Sequence, residues 1–283
     1  MRWLLLITLF LSQAVLADSS VWLVSKGDRK LLLGGTIHML SAADYPLPEE
    51  FDRAYRSADL LAFETDIRKV NTPEFQMQLM QRMSYRDGKT LRSELSSEAY
   101  TALQKFSAER GIQLDAMQSL KPQMVVLALL SVELQRMGMT DAGVDQHFFE
   151  RAQKDNKNLL FLESPAAQLD ILTNMGKGQE DLLILNTVRD LQQIDDIMAD
   201  MKTAWRNGDR EKLAETGLAP MQKEFPALYQ SMLVKRNQAW LSHIEDMLKT
   251  PAVEFVLVGA LHMVGRDGVL NMLAARGYTV KNL

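Results

Sequence analysis

Two segments from opposite ends of the chain share one pattern, and this pattern constrains the fold more than any other feature. Residues 31–39 read LLLGGTIHM, and residues 255–263 read FVLVGALHM. In each, a short apolar run meets a glycine, and a histidine follows three residues later. Such runs are typical of strands that are covered on both faces of a sheet. We therefore expect both ends of the chain to contribute strands to one central sheet.

A second pair of similar segments lies further inside the chain. Residues 60–65 read LLAFET and residues 159–164 read LLFLES, so that Glu64 and Glu163 each end an apolar run. The intervening sequence has helical spacing and helix-start prolines. It predicts helices over Pro73–Tyr85, Ser97–Arg110, Pro122–Met137, 142–155, Asp181–Trp205, Gly208–Glu215 and Ala219–Leu248, the last broken at Pro226. The expected fold is an α/β domain over residues 18–283. Its mixed central sheet is assembled from both chain ends, with a large helical insertion.

The residues that follow the four apolar runs predict a site. Ligands of open α/β sheets bind at the carboxyl ends of the strands, and here those ends would carry His38, His262, Glu64 and Glu163. Two of the chain's four histidines share the glycine–x–x–histidine pattern. A single such motif is common on protein surfaces, and a strand-end glutamate is often a helix cap or a salt-bridge partner. The repetition of both patterns favours a functional site. We expect Glu64 to face solvent at the end of its strand. Imidazole and carboxylate together suit Zn²⁺, Mn²⁺, Co²⁺ or Fe²⁺.

The first 17 residues are typical of a secretory signal peptide. Arg2 precedes an apolar run, and Val15 and Ala17 satisfy the small-residue rule at a cleavage site after Ala17. The run is shorter than the roughly 20 residues of a membrane span, although an uncleaved anchor is the alternative. We expect a periplasmic or secreted protein without a stable membrane anchor after cleavage.

Composition narrows the classes of partner. The formal charge is -4, which gives no reason to expect a nucleic acid. The chain has no cysteine, so an exported form would depend on its core and not on disulfides. The predicted partner is a peptide or a small-molecule substrate.

Several motifs together resemble one known family. These are GGTIH, FETD, the segment GVDQHF followed by LES, RNQAW (236–240) and VGALHMVGRDGVLNML. They are similar to the TraB/GumN family, which includes the Tiki-like secreted metalloproteases and is distantly akin to erythromycin esterases and ChaN-like haem-binding proteins. The resemblance covers essentially all of residues 18–283.

The resemblance implies a three-layer α/β fold and metal-dependent hydrolysis of peptide bonds. By motif position, His38, His262 and Glu64 would hold a divalent ion (Mn, Co, Zn or Fe). Glu163, or a Glu64 that is not a metal ligand, would be the general base, and Arg236 would stabilise the oxyanion. Secondary candidates from the matching segments are Asp145, His147 and Asn237.

Two other functions stay open at the level of sequence. Erythromycin esterases use similar His and Glu residues without an evident metal, so a metal-independent hydrolase with a histidine base keeps the same site. A non-catalytic protein could instead bind a small ligand or a peptide signal in the same cleft. The 17 methionines fit either such a ligand site or a helical core.

The signal-peptide assignment predicts that the mature protein begins at Asp18. Val15, Leu16 and Ala17 end the apolar run and leave a small residue at the cleavage position. Intact mass spectrometry of protein from the periplasmic fraction checks this prediction. A full-length mass in the membrane fraction would contradict it.

Overall fold

The computed structural model of the protein describes residues 19–283, so the predicted signal peptide lies outside the described residues. Six strands form one mixed sheet: β1 (Val21–Lys26), β2 (Arg29–Thr36), β3 (Leu60–Phe63), β4 (Asn158–Phe161), β5 (Glu254–Gly259) and β6 (Thr279–Asn282). Their order is β4-β3-β5-β2-β1-β6. Both ends of the chain therefore supply the sheet, which confirms the expected assembly.

Four neighbouring strands of the sheet, β4, β3, β5 and β2, are parallel to one another. β2 and β3 each pair in parallel with β5, and β4 pairs in parallel with β3. β1 forms an antiparallel hairpin with β2, and β6 adds antiparallel to β1. The carboxyl ends of β2, β3, β4 and β5 consequently lie at one edge, hereafter the carboxyl edge.

Helices fill the connections between the strands. They are α1 (Glu49–Ser57), α2 (Ile67–Val70), α3 (Pro73–Arg82), α4 (Leu91–Glu94), α5 (Ser97–Glu109), α6 (Pro122–Arg136), α7 (Val144–Lys154), α8 (Pro165–Thr173), α9 (Glu180–Gln192), α10 (Ile194–Arg206), α11 (Arg210–Gly217), α12 (Ala219–Glu224), α13 (Pro226–Tyr229), α14 (Lys235–Met247), α15 (Ala260–Met263) and α16 (Val269–Ala275). Short 3₁₀ turns lie at Ala42–Asp44 and Leu114–Met117, and a π-helical turn spans Gln230–Val234. Within residues 19–283, we find no helix with both the length and the apolar character that a bilayer crossing requires.

The sheet lies between helical layers, as the sequence predicts. Residues 254–258 of β5 are all buried, and since successive side chains point to opposite faces, both faces are covered. On one face, the ring of Phe255 packs against Phe51 of α1 and Phe148 of α7. Side chains of α14 and α16 belong to the same continuous core.

A second hydrophobic core holds the helical insertion together. It is built from buried side chains of α5, α6 and α9, such as Phe106, Leu129 and Ile184. The insertion therefore has its own apolar interior.

The predicted helix Asp181–Trp205 is two helices. α9 ends at Gln192 and α10 begins at Ile194, because Gln193 leaves the helical conformation. No glycine or proline marks the break. α9 packs on α5 and α6 whereas α10 packs on α11, so tertiary packing redirects the chain. The predicted break at Pro226 is confirmed, since α12 ends at Glu224 and α13 begins at Pro226.

Close packing at the centre of the sheet predicts that Gly34→Ala destabilises the protein. A Cβ at Gly34 would lie 2.8 Å from both Leu257 Cδ2 and Phe255 Cε2, inside a sealed core. Overpacking of this kind typically costs about 1–3 kcal/mol. Thermal or urea unfolding measures the loss.

Gly217→Ala is the matched control. A Cβ at Gly217 would lie 2.8 Å or closer to one atom only, Leu261 Cδ2 at 2.4 Å, and this contact is relieved if the half-buried Leu261 side chain rotates; alanine also favours the helical end of α11. We expect its free energy of unfolding to stay within about 1 kcal/mol of wild type. Equal losses in the two variants would contradict this account of the core.

Candidate active site

Arg236 lies at the centre of a polar cluster at the carboxyl edge. Its Nε donates to Glu163 Oε2 at 3.1 Å, and its Nη2 donates to Glu163 Oε1 and Glu64 Oε2, each at 2.6 Å. Its Nη1 lies 3.0 Å from His262 Nε2 and donates to the Met232 carbonyl at 3.2 Å. Each of the five N–H groups of the guanidinium can therefore be assigned an acceptor.

The local sequence explains how Arg236 reaches this position. The π-helical turn before α14 contains Met232, and the carbonyl of Met232 accepts from the guanidinium. Trp240 lies one helical turn after Arg236, on the same face of α14. Its ring centroid lies 4.6 Å from Arg236 Cζ, and its Nε1 donates to Glu163 Oε2 at 3.2 Å.

Glu64 is buried, contrary to the expectation of a solvent-facing strand end. Only 8% of the residue is exposed, and its Oε1 accepts the N–H of Gly259 at 2.7 Å. Burial by itself would raise the pKa of Glu64, but the charge of Arg236, the two neighbouring histidines and the N–H of Gly259 together outweigh it and lower the pKa to about 2. The carboxylate is therefore ionised at neutral pH and is a weak base.

Gly259 is needed for close approach and not for an unusual turn. Its φ of -48° is accessible to any residue, but a Cβ there would lie 3.3 Å from Glu64 Oε1. The same Cβ position is 3.6 Å from both His262 Cδ2 and His38 Nε2. These two ring atoms are therefore separated by no more than twice that distance, and the two glycine–x–x–histidine motifs meet at one point of the sheet edge.

His262 has a defined tautomer. Arg236 can only donate, so Nε2 of His262 accepts, and Nδ1 carries the proton that it donates to Asn237 Oδ1 at 2.6 Å. Asn237 Nδ2 in turn donates to the carbonyls of His262 and Asp267. Burial, with the charge of Arg236, lowers the pKa of His262 to about 3. His262 is therefore a neutral group that holds Arg236 in place.

His38 is held differently, by a relay of polar side chains. Its Nδ1 lies 2.8 Å from Asp145 Oδ2, and Asp145 Oδ1 accepts from Thr36 Oγ1 at 2.8 Å. The carboxylate of Asp145 raises the pKa of His38. Because 64% of the His38 side chain is exposed, solvent screens part of this effect. Within residues 19–283, Nε2 of His38 has no hydrogen-bond partner.

Pairing between two distant loops brings Asp145 to His38. Leu40 and Thr140 form an isolated antiparallel bridge, and Val144 N donates to Ile37 O at 3.0 Å. A Cβ at Gly143 would lie 2.1 Å from the carbonyl oxygen of His38, so only glycine permits this approach.

Of the two remaining candidate residues, one belongs to the cluster and the other does not. Asn237 belongs to it through His262. His147 lies on the same helix as Asp145. Its ring packs edge-on to Phe148 and tilted to Tyr45, and it makes none of the cluster's hydrogen bonds.

The three predicted metal ligands do not fit a divalent cation in this arrangement. Nε2 of His262 faces the guanidinium of Arg236, and the same cation engages one oxygen of Glu64. Among residues 19–283, no group of three His, Cys, Asp or Glu side chains is arranged to hold a metal ion. A second cation between His38, Glu64 and His262 would require Arg236 to leave.

Two cavities flank the cluster. One, of about 240 Å³, is lined by His38, Phe63, Glu64, Asp145 and Gln168 among others, and we call it the His38 cavity. The other, of about 380 Å³, lies between α8 and α14 on the side of Glu163 and Arg236. A larger cavity of about 870 Å³ lies among the insertion helices and has no residue of the cluster in its lining.

The amino-acid sequence matches one family model across almost the whole described chain. Residues 20–282 match the model of the TraB/PrgY/gumN family, and the chain belongs to that family. It is 26% identical over 250 residues to a protein of Escherichia coli K12 named "Uncharacterized protein YbaP", covering 87% of this chain and 89% of that protein. A protein of the same name from Shigella flexneri matches to the same extent. No solved structure matches the chain significantly.

Sequence reasoning missed Thr36, Gly143 and Trp240. Thr36 lies inside the GGTIH motif and Trp240 ends RNQAW, so the motifs contained them without indicating their contacts. Gly143 is likewise the first residue of the GVDQHF segment, and only the loop pairing shows why a glycine stands there.

The relay predicts that Asp145→Asn lowers the pKa of His38 towards the ordinary value of 6.5. The substitution removes the negative charge that favours the imidazolium and keeps the size of the side chain. NMR titration of the imidazole protons, assigned with single His→Gln variants, measures the shift. His262 is the internal control, because its lowered pKa keeps it neutral from pH 5 to 8. An unchanged His38 pKa would show that Asp145 does not act on it.

Proposed function

We propose that this protein is a hydrolase of carboxylic acid derivatives, peptide amides or esters, with His38 as its general base. The observation that carries the proposal is the relay from Thr36 through Asp145 to His38 Nδ1. Nε2 of His38 has no hydrogen-bond partner among residues 19–283 and lies beside a cavity. An imidazole fixed at one nitrogen and open at the other is suited to proton transfer.

The chemistry follows from the two nitrogens. Nε2 of His38 takes a proton from water as the water oxygen bonds to the substrate carbonyl carbon. The carboxylate of Asp145, bonded to Nδ1, stabilises the imidazolium that forms. When the carbon–nitrogen or carbon–oxygen bond of the substrate breaks, His38 returns the proton to the leaving group. Water thus adds across the bond, and the enzyme ends as it began.

Arg236 and its partners take no part in the proton transfer, but their charge favours it. The donors of Arg236 are all engaged in the cluster, so in this arrangement none is left for an oxyanion. The two carboxylates Glu64 and Glu163 share one guanidinium, and His262 is neutral, so the cluster is negative overall. A negative wall beside the His38 cavity favours the imidazolium.

The site of action that we propose is the periplasm or the exterior of the cell, where the predicted signal peptide would deliver the mature chain. A peptide or another acyl compound of that compartment is then the substrate.

Loss of the base predicts a large loss of turnover without loss of fold. His38→Gln should lower kcat by about 10²–10⁴, the usual contribution of general-base catalysis. Because the side chain is largely exposed, the melting temperature should change little. Turnover on a panel of p-nitrophenyl esters and fluorogenic peptides, with thermal melting of the same preparations, provides the measurement. In wild type, the rising limb of kcat/KM against pH should lie above pH 6.5, since Asp145 raises the pKa of the base.

His147→Gln is the matched control, because the ring of His147 lies near the Tyr45 and Phe148 rings and makes none of the cluster's hydrogen bonds. Its turnover should stay close to that of wild type. Equal turnover in wild type and His38→Gln would contradict the proposed base. Absence of turnover across the panel in wild type would favour the binding-protein alternative.

The cluster also predicts the effect of chelation. Because Arg236 already occupies His262 and Glu64, turnover should persist after dialysis against EDTA, and added Mn²⁺ should not raise it. Elemental analysis of the dialysed protein provides the control for residual metal. Loss of turnover on chelation with recovery on Mn²⁺ would restore the metal-dependent reaction implied by the family resemblance, and would require Arg236 to move.

A further inference from the structure

The cavity of about 380 Å³ between α8 and α14, hereafter the α8–α14 cavity, has walls of hydrocarbon. Its apolar lining is formed by Leu162, Ala167, Ile171, Ala239 and Trp240. A volume of this size is in the range of pockets that bury small organic ligands.

The polar residues that line this cavity are mostly occupied elsewhere. Ser231 Oγ donates to Leu228 O at 3.0 Å, and Asn174 Nδ2 donates to Asp170 O at 2.7 Å. The carboxylate of Asp170 pairs with Arg82. Lys235 is the exception, since it forms no ion pair within residues 19–283. The cavity thus offers a ligand apolar walls and the ammonium group of Lys235.

The α8–α14 cavity adjoins the candidate active site. Glu163 and Arg236 line it, and Arg236 donates both to Glu163 and to Glu64, which lines the His38 cavity. Ala167 and Gln168, adjacent residues of α8, line the two cavities respectively. A ligand with its reacting carbonyl beside His38 would reach the apolar space by passing along α8, over the Glu163–Arg236 pair that separates the two cavities.

We propose that the α8–α14 cavity binds the apolar part of the substrate, an aryl or medium-length acyl group that carries a negative charge near Lys235. Burial of such a group removes hydrocarbon from water, and the ammonium of Lys235 pairs with the charge at the rim. This inference rests on the proposed function for its link to catalysis, and it narrows the substrates to acyl compounds with a bulky apolar substituent.

Ala167 is the position at which the size of the cavity can be tested. It is a half-buried alanine of α8 that lines the cavity, and a larger side chain at this position would fill the space. Ala166, one residue earlier on the same helix, is exposed and does not line the cavity. The same substitution at the two positions therefore separates filling of the cavity from any effect on the helix.

The test is calorimetric titration with 2-naphthoate, an aromatic carboxylate, and with the neutral 2-naphthalenemethanol. Wild type should bind 2-naphthoate at one site. Ala167→Phe should weaken both probes by about 10-fold or more, the scale on which apolar pockets discriminate by size. Ala166→Phe should stay within about twofold of wild type. Lys235→Gln should weaken the carboxylate and leave the alcohol unchanged.

Two results would overturn the inference: no saturable binding to wild type, or equal affinities of wild type and Ala167→Phe. These outcomes are independent of catalysis. Naphthoate binding that persists in a protein without hydrolytic activity would remove the proposed function and keep the binding site. Hydrolysis that is abolished by His38→Gln, but is indifferent to the size of the acyl group in both wild type and Ala167→Phe, would do the reverse.

Discussion

The guanidinium of Arg236, held between the carboxylates of Glu64 and Glu163, is the interaction on which the carboxyl edge depends. The side chains of these three residues are about nine-tenths buried. Buried charges are stable only when they are paired and their hydrogen bonds are satisfied. Here one planar cation satisfies two carboxylates, a neutral imidazole and a backbone carbonyl. It thereby fixes α14 against the ends of β3, β4 and β5.

In this arrangement the two histidines have different partners and different roles. His262, neutral and buried, completes the acceptor set of Arg236, whereas His38 is anchored only at Nδ1 and keeps an open nitrogen. The two histidines share one sequence pattern and have opposite environments. The difference arises from what each faces, a guanidinium for His262 and the carboxylate of Asp145 for His38. Under the proposed function, His38 transfers the proton, whereas His262 accepts from Arg236 and keeps it in place.

The convergence of His38, Glu64, Glu163 and His262 could be predicted, because it depends only on local strand patterns and on the parallel order of buried strands. The partners of Arg236 could not. They depend on the π-helical turn before α14, and no residue of Gln230–Val234 indicates such a turn. The pairing of His38 with Asp145 likewise requires loop contacts across about a hundred residues of chain. Glu64 is buried because the strands and α14 cover it together, which no local pattern encodes.

The most direct measurement of the central claim is a crystal structure of the protein soaked in MnCl₂, with anomalous diffraction recorded for manganese. If Arg236 organises this edge of the sheet, its guanidinium will remain bonded to Glu64, Glu163 and His262, and no anomalous peak will appear between His38, Glu64 and His262. A peak at about 2.0–2.3 Å from His262 Nε2, the range of metal–ligand bonds, with the Arg236 side chain displaced, would contradict the account.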